Sequence, residues 1–156
     1  MTHRIIEKPS DIDDLAILLG NLKLPITVEY TQGRDRSNEQ NKLMWLWASE
    51  AGQQLGETTD EIQRRWKLNH GLPILCEDSA EYRQFCRLTL GKLNYVQRLE
   101  AMRFTPVTSE MKVRQMVRFL DTIWKECGEQ RVKLTDPDPS LAEYQKRNRD
   151  HESKAA

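Results

Sequence analysis

Arg34-Asp35-Arg36-Ser37-Asn38-Glu39-Gln40-Asn41-Lys42-Leu43-Met44-Trp45 is the stretch on which the reading of this chain turns. A basic, polar loop runs into a segment crowded with Leu, Met and Trp. Arg34 and Arg36 stand just ahead of a helix start, where unpaired backbone N–H groups favour an anion. The corner fits a phosphate. It fits equally well a loop anchor, with Glu39 holding one of the guanidinium groups. Ser37 and Gln40 have capping-box spacing, and Asn41 stands at the edge of the apolar face that follows.

From this corner a helix is expected over residues 37–55, stopped by Gly56. Leu43, Met44, Trp47, Ala48, Ala51 and Leu55 share one face at helical spacing, with Trp45 and Leu46 on its flanks. A helix apolar over so much of its circumference asks for burial on several sides. A second copy of the chain would supply one of them. Upstream, Pro25 opens Ile26-Thr27-Val28-Glu29-Tyr30, which alternates like a strand. Another strand is expected near Arg4–Glu7. Between them Ser10, with Asp13, reads as the cap of a helix carrying Ile12, Leu15, Leu18 and Leu19, ended by Gly20 and Asn21.

Downstream, Thr58 and Glu61 form a second capping box. The helix after them carries Ile62 and Trp66 and is expected to break at Gly71 and Pro73. A helix from Ser79 to about Leu90 should bury Tyr82, Phe85, Cys86 and Thr89. Residues 93–104 form another, burying Val96 and Leu99. The clearest helix runs from a Ser109 cap to Gly128. Its buried side is Val113, Met116, Val117, Leu120, Ile123, Trp124 and Cys127. Val132 and Leu134 suggest a short last strand over Arg131–Thr135. The expected class is therefore α+β: a helix-rich small domain with a short β-sheet over residues 1–135. A charged, mobile tail over 136–156 follows Asp136-Pro137-Asp138-Pro139.

The 156 residues suit one ordinary domain, with a formal net charge of zero. That balance excludes a wholly basic coat but not an uneven one. Between Arg64 and Arg118 eleven basic side chains face five acidic ones, a local excess of six. The candidate DNA-binding residues are Arg34, Arg36, Arg64, Arg65, Arg83, Arg87, Lys92, Arg114 and Arg118. Arg83 with Arg87, and Arg114 with Arg118, are like-charge pairs at i,i+4, a spacing that a phosphate would relieve. A solvated helical surface is the alternative. Trp45 and Trp47 have the chemistry to stack on bases, but core or dimer packing explains them better. Trp66 and Trp124 read as core.

Catalytic signals are poor, and the chain reads as a non-enzyme. His3, His70 and His151 stand apart. Cys76, Cys86 and Cys127 lack zinc-ligand spacing and read as buried thiols of a reducing, cytoplasmic compartment. Asp11, Asp13 and Asp14 suit a helix start better than a metal. No cofactor is implied. The start lacks a signal-peptide run, and no membrane span is expected.

The cluster Arg34-Asp35-Arg36-Ser37, then Gln40-Asn41, then Trp45, resembles the N-terminal signature of the NinB/Orf recombination proteins of lambdoid bacteriophages. Thr108-Ser109-Glu110-Met111-Lys112-Val113 is a second similarity, so the likeness spans roughly residues 25–135. The resemblance implies a recombination mediator rather than a nuclease. It implies a ring-like homodimer that binds DNA, favours single-stranded regions, and works beside single-strand-binding protein in loading a strand-exchange recombinase. The compartment implied is the bacterial host cytoplasm. Arg34, Arg36, Ser37, Gln40, Asn41 and Trp45 carry over as signature positions without individual roles. A phage adaptor that meets an acidic host or phage protein is the competing reading, and a metal-dependent nuclease the third.

Replacing Arg34 and Arg36 together with alanine should lower DNA affinity more than it lowers stability. Thermal unfolding and oligonucleotide titration on the same double variant check this. Lost stability with unchanged affinity would make the pair a loop anchor.

Overall fold

In the computed structural model the described residues are 4, 6, 8–30 and 38–155. They divide into two units, residues 1–32 and residues 33–156. Among them there is no strand, and the α+β expectation with its short sheet is overturned: every regular element is helical.

In the first unit α1 spans Pro9–Gly20. It begins one step before the expected Ser10 cap, because Pro9 suits the first helical position. Asp11, not Asp13, closes the cap by accepting the Lys8 N–H at 2.9 Å. Asn21 ends the helix, as its position predicts. Leu15, Leu18 and Leu19 are half-buried and Ile12 is exposed. Residues 25–30 alternate as a strand would, yet they pair with no neighbouring backbone as a ladder and are exposed. Arg4 and Ile6 are not in a strand, while Ile5 and Glu7 lie outside the described residues.

The second unit opens with α2, Asn38–Leu55. Leu43, Met44, Trp47, Ala48 and Ala51 are buried together, as their spacing requires. Leu55, expected on that face, is 39% exposed beside the Gly56 turn. Gly56 takes φ 71°, a conformation that suits glycine. The proposed Ser37 cap lies outside the described residues. Next comes α3, Thr59–Trp66, closed by the Thr58–Glu61 capping box in both directions. The same hydrogen bonds hold the Glu61 carboxyl below its ordinary range.

Gly71 and Pro73 do not break the helix. Lys67–Gly71 winds as a π-helix and α4, Leu72–Asp78, continues from it. Pro73 has no N–H to donate, and the wider turn ahead of it absorbs that loss: the Leu72 N–H reaches the Lys67 carbonyl five residues back. Gly71 is needed for a separate reason. A Cβ there would stand 2.6 Å from a Val107 methyl, with Met111 and Phe119 close behind.

Ser79 caps α5, Ala80–Leu90, through its hydroxyl. Only Leu90 is buried in it; Tyr82 and Cys86 are half-buried, and Phe85 and Thr89, expected inside, are exposed. Asn94 caps α6, Tyr95–Ala101. Val96 points outward here against expectation and Leu99 is half-buried, while Met102 and the half-buried Leu93 face the core. Ser109 lies in a 3-10 turn, Thr108–Glu110, instead of capping a helix.

Lys112, with Gln115 accepting its N–H, opens α7, Val113–Glu129. Met116, Val117, Leu120, Ile123 and Cys127 are buried as expected, and Phe119 joins them at full burial. Trp124 departs from the core role: it is 42% exposed and lies against Trp47 at 5.3 Å between ring centres. The helix outlasts Gly128. Its end is closed by Arg131, at φ 59°, and by the Val132 N–H bonding to the Cys127 carbonyl.

The expected strand at 131–135 is a strap held by side chains. Gln54 both accepts from the Lys133 N–H and donates to its carbonyl. Glu50 accepts from the Thr135 N–H and hydroxyl, and the Trp47 indole donates to the Thr135 carbonyl at 2.7 Å. One stripe of α2 thus does what a neighbouring strand would have done. After the strap comes α8, Pro139–Ala155. It packs along α7, with Leu141 and Gln145 buried and Arg149 paired to Asp121 at 2.7 Å. Asp138 accepts from the Ser140 N–H and hydroxyl at its start, which keeps the Asp138 carboxyl below its ordinary range.

Gly71→Ala should cost about 1–3 kcal/mol, the usual penalty for overfilling a packed site. Urea unfolding of Gly71→Ala, Val107→Ala and the double variant checks it. The double should lose less than the sum of the two, because removing the Val107 methyls makes room for the new one.

Candidate anion-binding groove

Ion pairing sorts the basic side chains of the second unit. Arg64, with its side chain 11% exposed, meets Asp60 at 3.0 Å and Glu100 at 2.5 Å. Arg65 meets Glu57 at 2.5 Å. Arg103 lies near the same Asp60 and Glu100. Arg118 bridges Glu77 and Asp78 across to the end of α4. Arg64 and Arg118 therefore serve helix-to-helix contacts and Arg65 ties α3 to the turn before it, with their charge already matched. Like charges at i,i+4 do not force a phosphate on Arg114 and Arg118, because Arg118 draws its counter-charge from α4. Arg114 is exposed on α7. Arg34 and Arg36 lie outside the described residues.

Arg83, Arg87 and Arg98 differ. They surround one groove of about 360 Å³ along α4, α5 and the turn that follows. Arg83 donates twice to the Cys76 carbonyl, at 3.0 and 2.8 Å. Arg98 donates to the Leu90 carbonyl at 3.1 Å and to the Gly91 carbonyl at 3.4 Å. Both guanidinium groups close the C-terminal ends of helices, where carbonyls lack partners and the helix dipole is negative. Carbonyls orient these groups without neutralising them. Arg87, one turn from Arg83, makes no ion pair among the described residues. Each guanidinium has five donors, so donors remain on all three.

Leu68, Leu72 and Leu90 make the apolar floor. Cys76 and Cys86 stand beside each other in the wall. Burial, with the neighbouring Cys76 thiol, pushes the Cys86 thiol up to about 12. It is protonated at neutral pH and makes a poor nucleophile. Tyr82 is likewise pushed up by burial, and its hydroxyl donates to the Pro106 carbonyl at 2.6 Å. Lys92 is exposed in the turn leaving α5.

The i,i+4 spacing of Arg83 and Arg87 points to this groove from sequence alone. Arg98 does not reveal itself so easily. It sits on another helix, and only the fold of the Gly91 turn returns it to the end of α5.

Two further polar contacts position the π-helix that flanks the floor. His70 meets Glu126 of α7 at 2.7 Å, and Asn69 donates to the Tyr95 hydroxyl at 3.2 Å. Among the described residues no three His, Cys, Asp or Glu side chains gather as a metal site. No helix there is long and apolar enough to cross a membrane. Comparison of the chain with protein-family models, curated proteins and solved structures finds no match.

Arg64→Ala and Arg87→Ala should separate the two kinds of arginine. The first removes a side chain only 11% exposed together with its hydrogen bond to Glu100, leaving Asp60 and Glu100 the longer contacts to Arg103, and should cost about 1–3 kcal/mol. The second should change stability by no more than about 0.5 kcal/mol. Equal losses in denaturant unfolding would give Arg87 a structural role.

Proposed function

We propose that this protein is a DNA-binding recombination mediator that favours single-stranded regions. The observation that carries the reading is the groove's three guanidinium groups, two of them oriented by carbonyls and none matched by a carboxylate among the described residues. Phosphate supplies the missing charge, and arginine binds it through paired N–H donors. The resemblance of Arg34–Trp45 to the NinB/Orf signature supports the same reading and adds the recombinase-loading role, with single-strand-binding protein as a companion. Lys92, Arg114 and the Arg34–Arg36 loop are proposed as further phosphate contacts. Arg64, Arg65 and Arg118 are the weaker candidates, since their charges are spent on carboxylates.

A homodimer is part of the proposal. Trp45, 51% exposed, and Leu46 leave an apolar flank of α2 uncovered by the rest of the second unit. Sedimentation equilibrium at micromolar protein should report a dimer, and a monomer throughout would count against it.

Titration with short single-stranded and duplex oligonucleotides, at two salt concentrations and with or without magnesium, tests the DNA reading. Single strands should bind more tightly, and affinity should fall steeply with salt. Arg87→Ala should weaken binding whatever the base sequence and reduce the salt slope by about 0.7. No binding to either form at low salt would turn the reading to an adaptor for an acidic protein. Magnesium-dependent strand loss would turn it to a nuclease.

A further inference from the structure

We infer that the groove along α4 and α5 receives one unstacked nucleobase of a single strand, with the arginines holding the phosphates beside it. The inference rests on the DNA reading above and gives it a mode of strand discrimination.

Size is the first argument. About 360 Å³ lies at the small end of the range for ligand pockets, which suits one base with its sugar and not a duplex. A base inside a duplex is stacked and paired, so it reaches such a pocket only by leaving the helix. A single strand makes that step easier.

Chemistry is the second. The floor offers Leu68, Leu72 and Leu90, an apolar bed for the face of a base. The lining holds no carboxylate or amide side chain to read a base edge. The carbonyls of Cys76, Leu90 and Gly91 are already accepting from Arg83 and Arg98. The floor therefore holds what enters by shape and apolar contact, while the arginine donors are taken up by the phosphates beside it. The rim is the third argument. Arg83, Arg87 and Arg98 surround this same cavity, so the negative links on either side of an inserted base meet unmatched positive charge.

A matched pair of oligonucleotides tests this on the unaltered protein: a short thymidine strand and an abasic strand with the same number of phosphates. Fluorescence anisotropy at low salt should give the thymidine strand about tenfold tighter binding, the scale expected for burying one apolar face. Equal affinities would overturn the base pocket while leaving the DNA reading intact. Failure of both strands to bind would remove the DNA reading and the pocket with it.

Variants then locate the preference. In Leu68→Glu, with folding verified by circular dichroism, the ratio of the two affinities should fall close to one. Pro73→Glu, at an exposed position of the same lining, serves if the first variant does not fold. Trp45→Ala should leave the ratio unchanged. A ratio that survives a folded groove variant, or collapses with Trp45→Ala, would move base recognition away from the groove.

Discussion

Burial of one face of α7 is the constraint around which residues 38–155 are arranged. Met116, Phe119, Leu120, Ile123 and Cys127 form a single apolar stripe, and α2, α4, the π-helix and α8 all pack on α7. Each such side chain contributes about 1.5–3 kcal/mol when taken fully out of water. Phe119 also closes on Gly71 together with Val107 and Met111. The long helix therefore reaches the start of α4, and through it the groove floor at Leu72.

The polar interactions follow a similar economy. Backbone groups of Lys133 and Thr135 are satisfied by Trp47, Glu50 and Gln54, so a segment with strand-like composition lies on a helix. Carboxylates are concentrated on Arg64, Arg65, Arg103 and Arg118, which tie helices to one another and to their connecting turns. Of the groove arginines, Arg83 and Arg98 are held by carbonyls instead. That difference, more than the total number of basic residues, gives the groove its anion-binding character, because a neutral protein acquires local potential only where its charges are unevenly matched.

Periodicity made the helices legible. The faces of α2 and α7 could be read from Leu43, Met44 and Trp47, and from Met116, Leu120 and Ile123. The capping box at Thr58 was equally clear. Alternation misled at Ile26–Tyr30 and Arg131–Thr135, since β-branched residues favour extended backbone but do not supply a partner strand. The burial expected of Phe85 and Val96 failed for a related reason: α5 and α6 are short and packed on one side, so apolar residues outnumber the positions available inside. Of the candidate site, Arg83 and Arg87 were visible as a pair. Their pairing state was not, because it depends on where carboxylates such as Glu77 and Glu100 arrive from distant parts of the chain.

The π-helix between α3 and α4 has one more consequence. Ile62, Trp66, Gly71 and Leu75 are all buried, at spacings of four, five and four. A uniform α-helix would continue inward from Trp66 through His70, Pro73 and Glu77. The one extra residue rotates everything after it by about 100°, the angle per residue of an α-helix. The wide turn thus acts as a phase shifter. It turns Leu72 and Leu75 toward the core, keeps Glu77 at the surface within reach of Arg118, and sets Cys76 where its carbonyl meets Arg83. The apparent helix breaker at Gly71–Pro73 is the point at which this helix changes the face it buries.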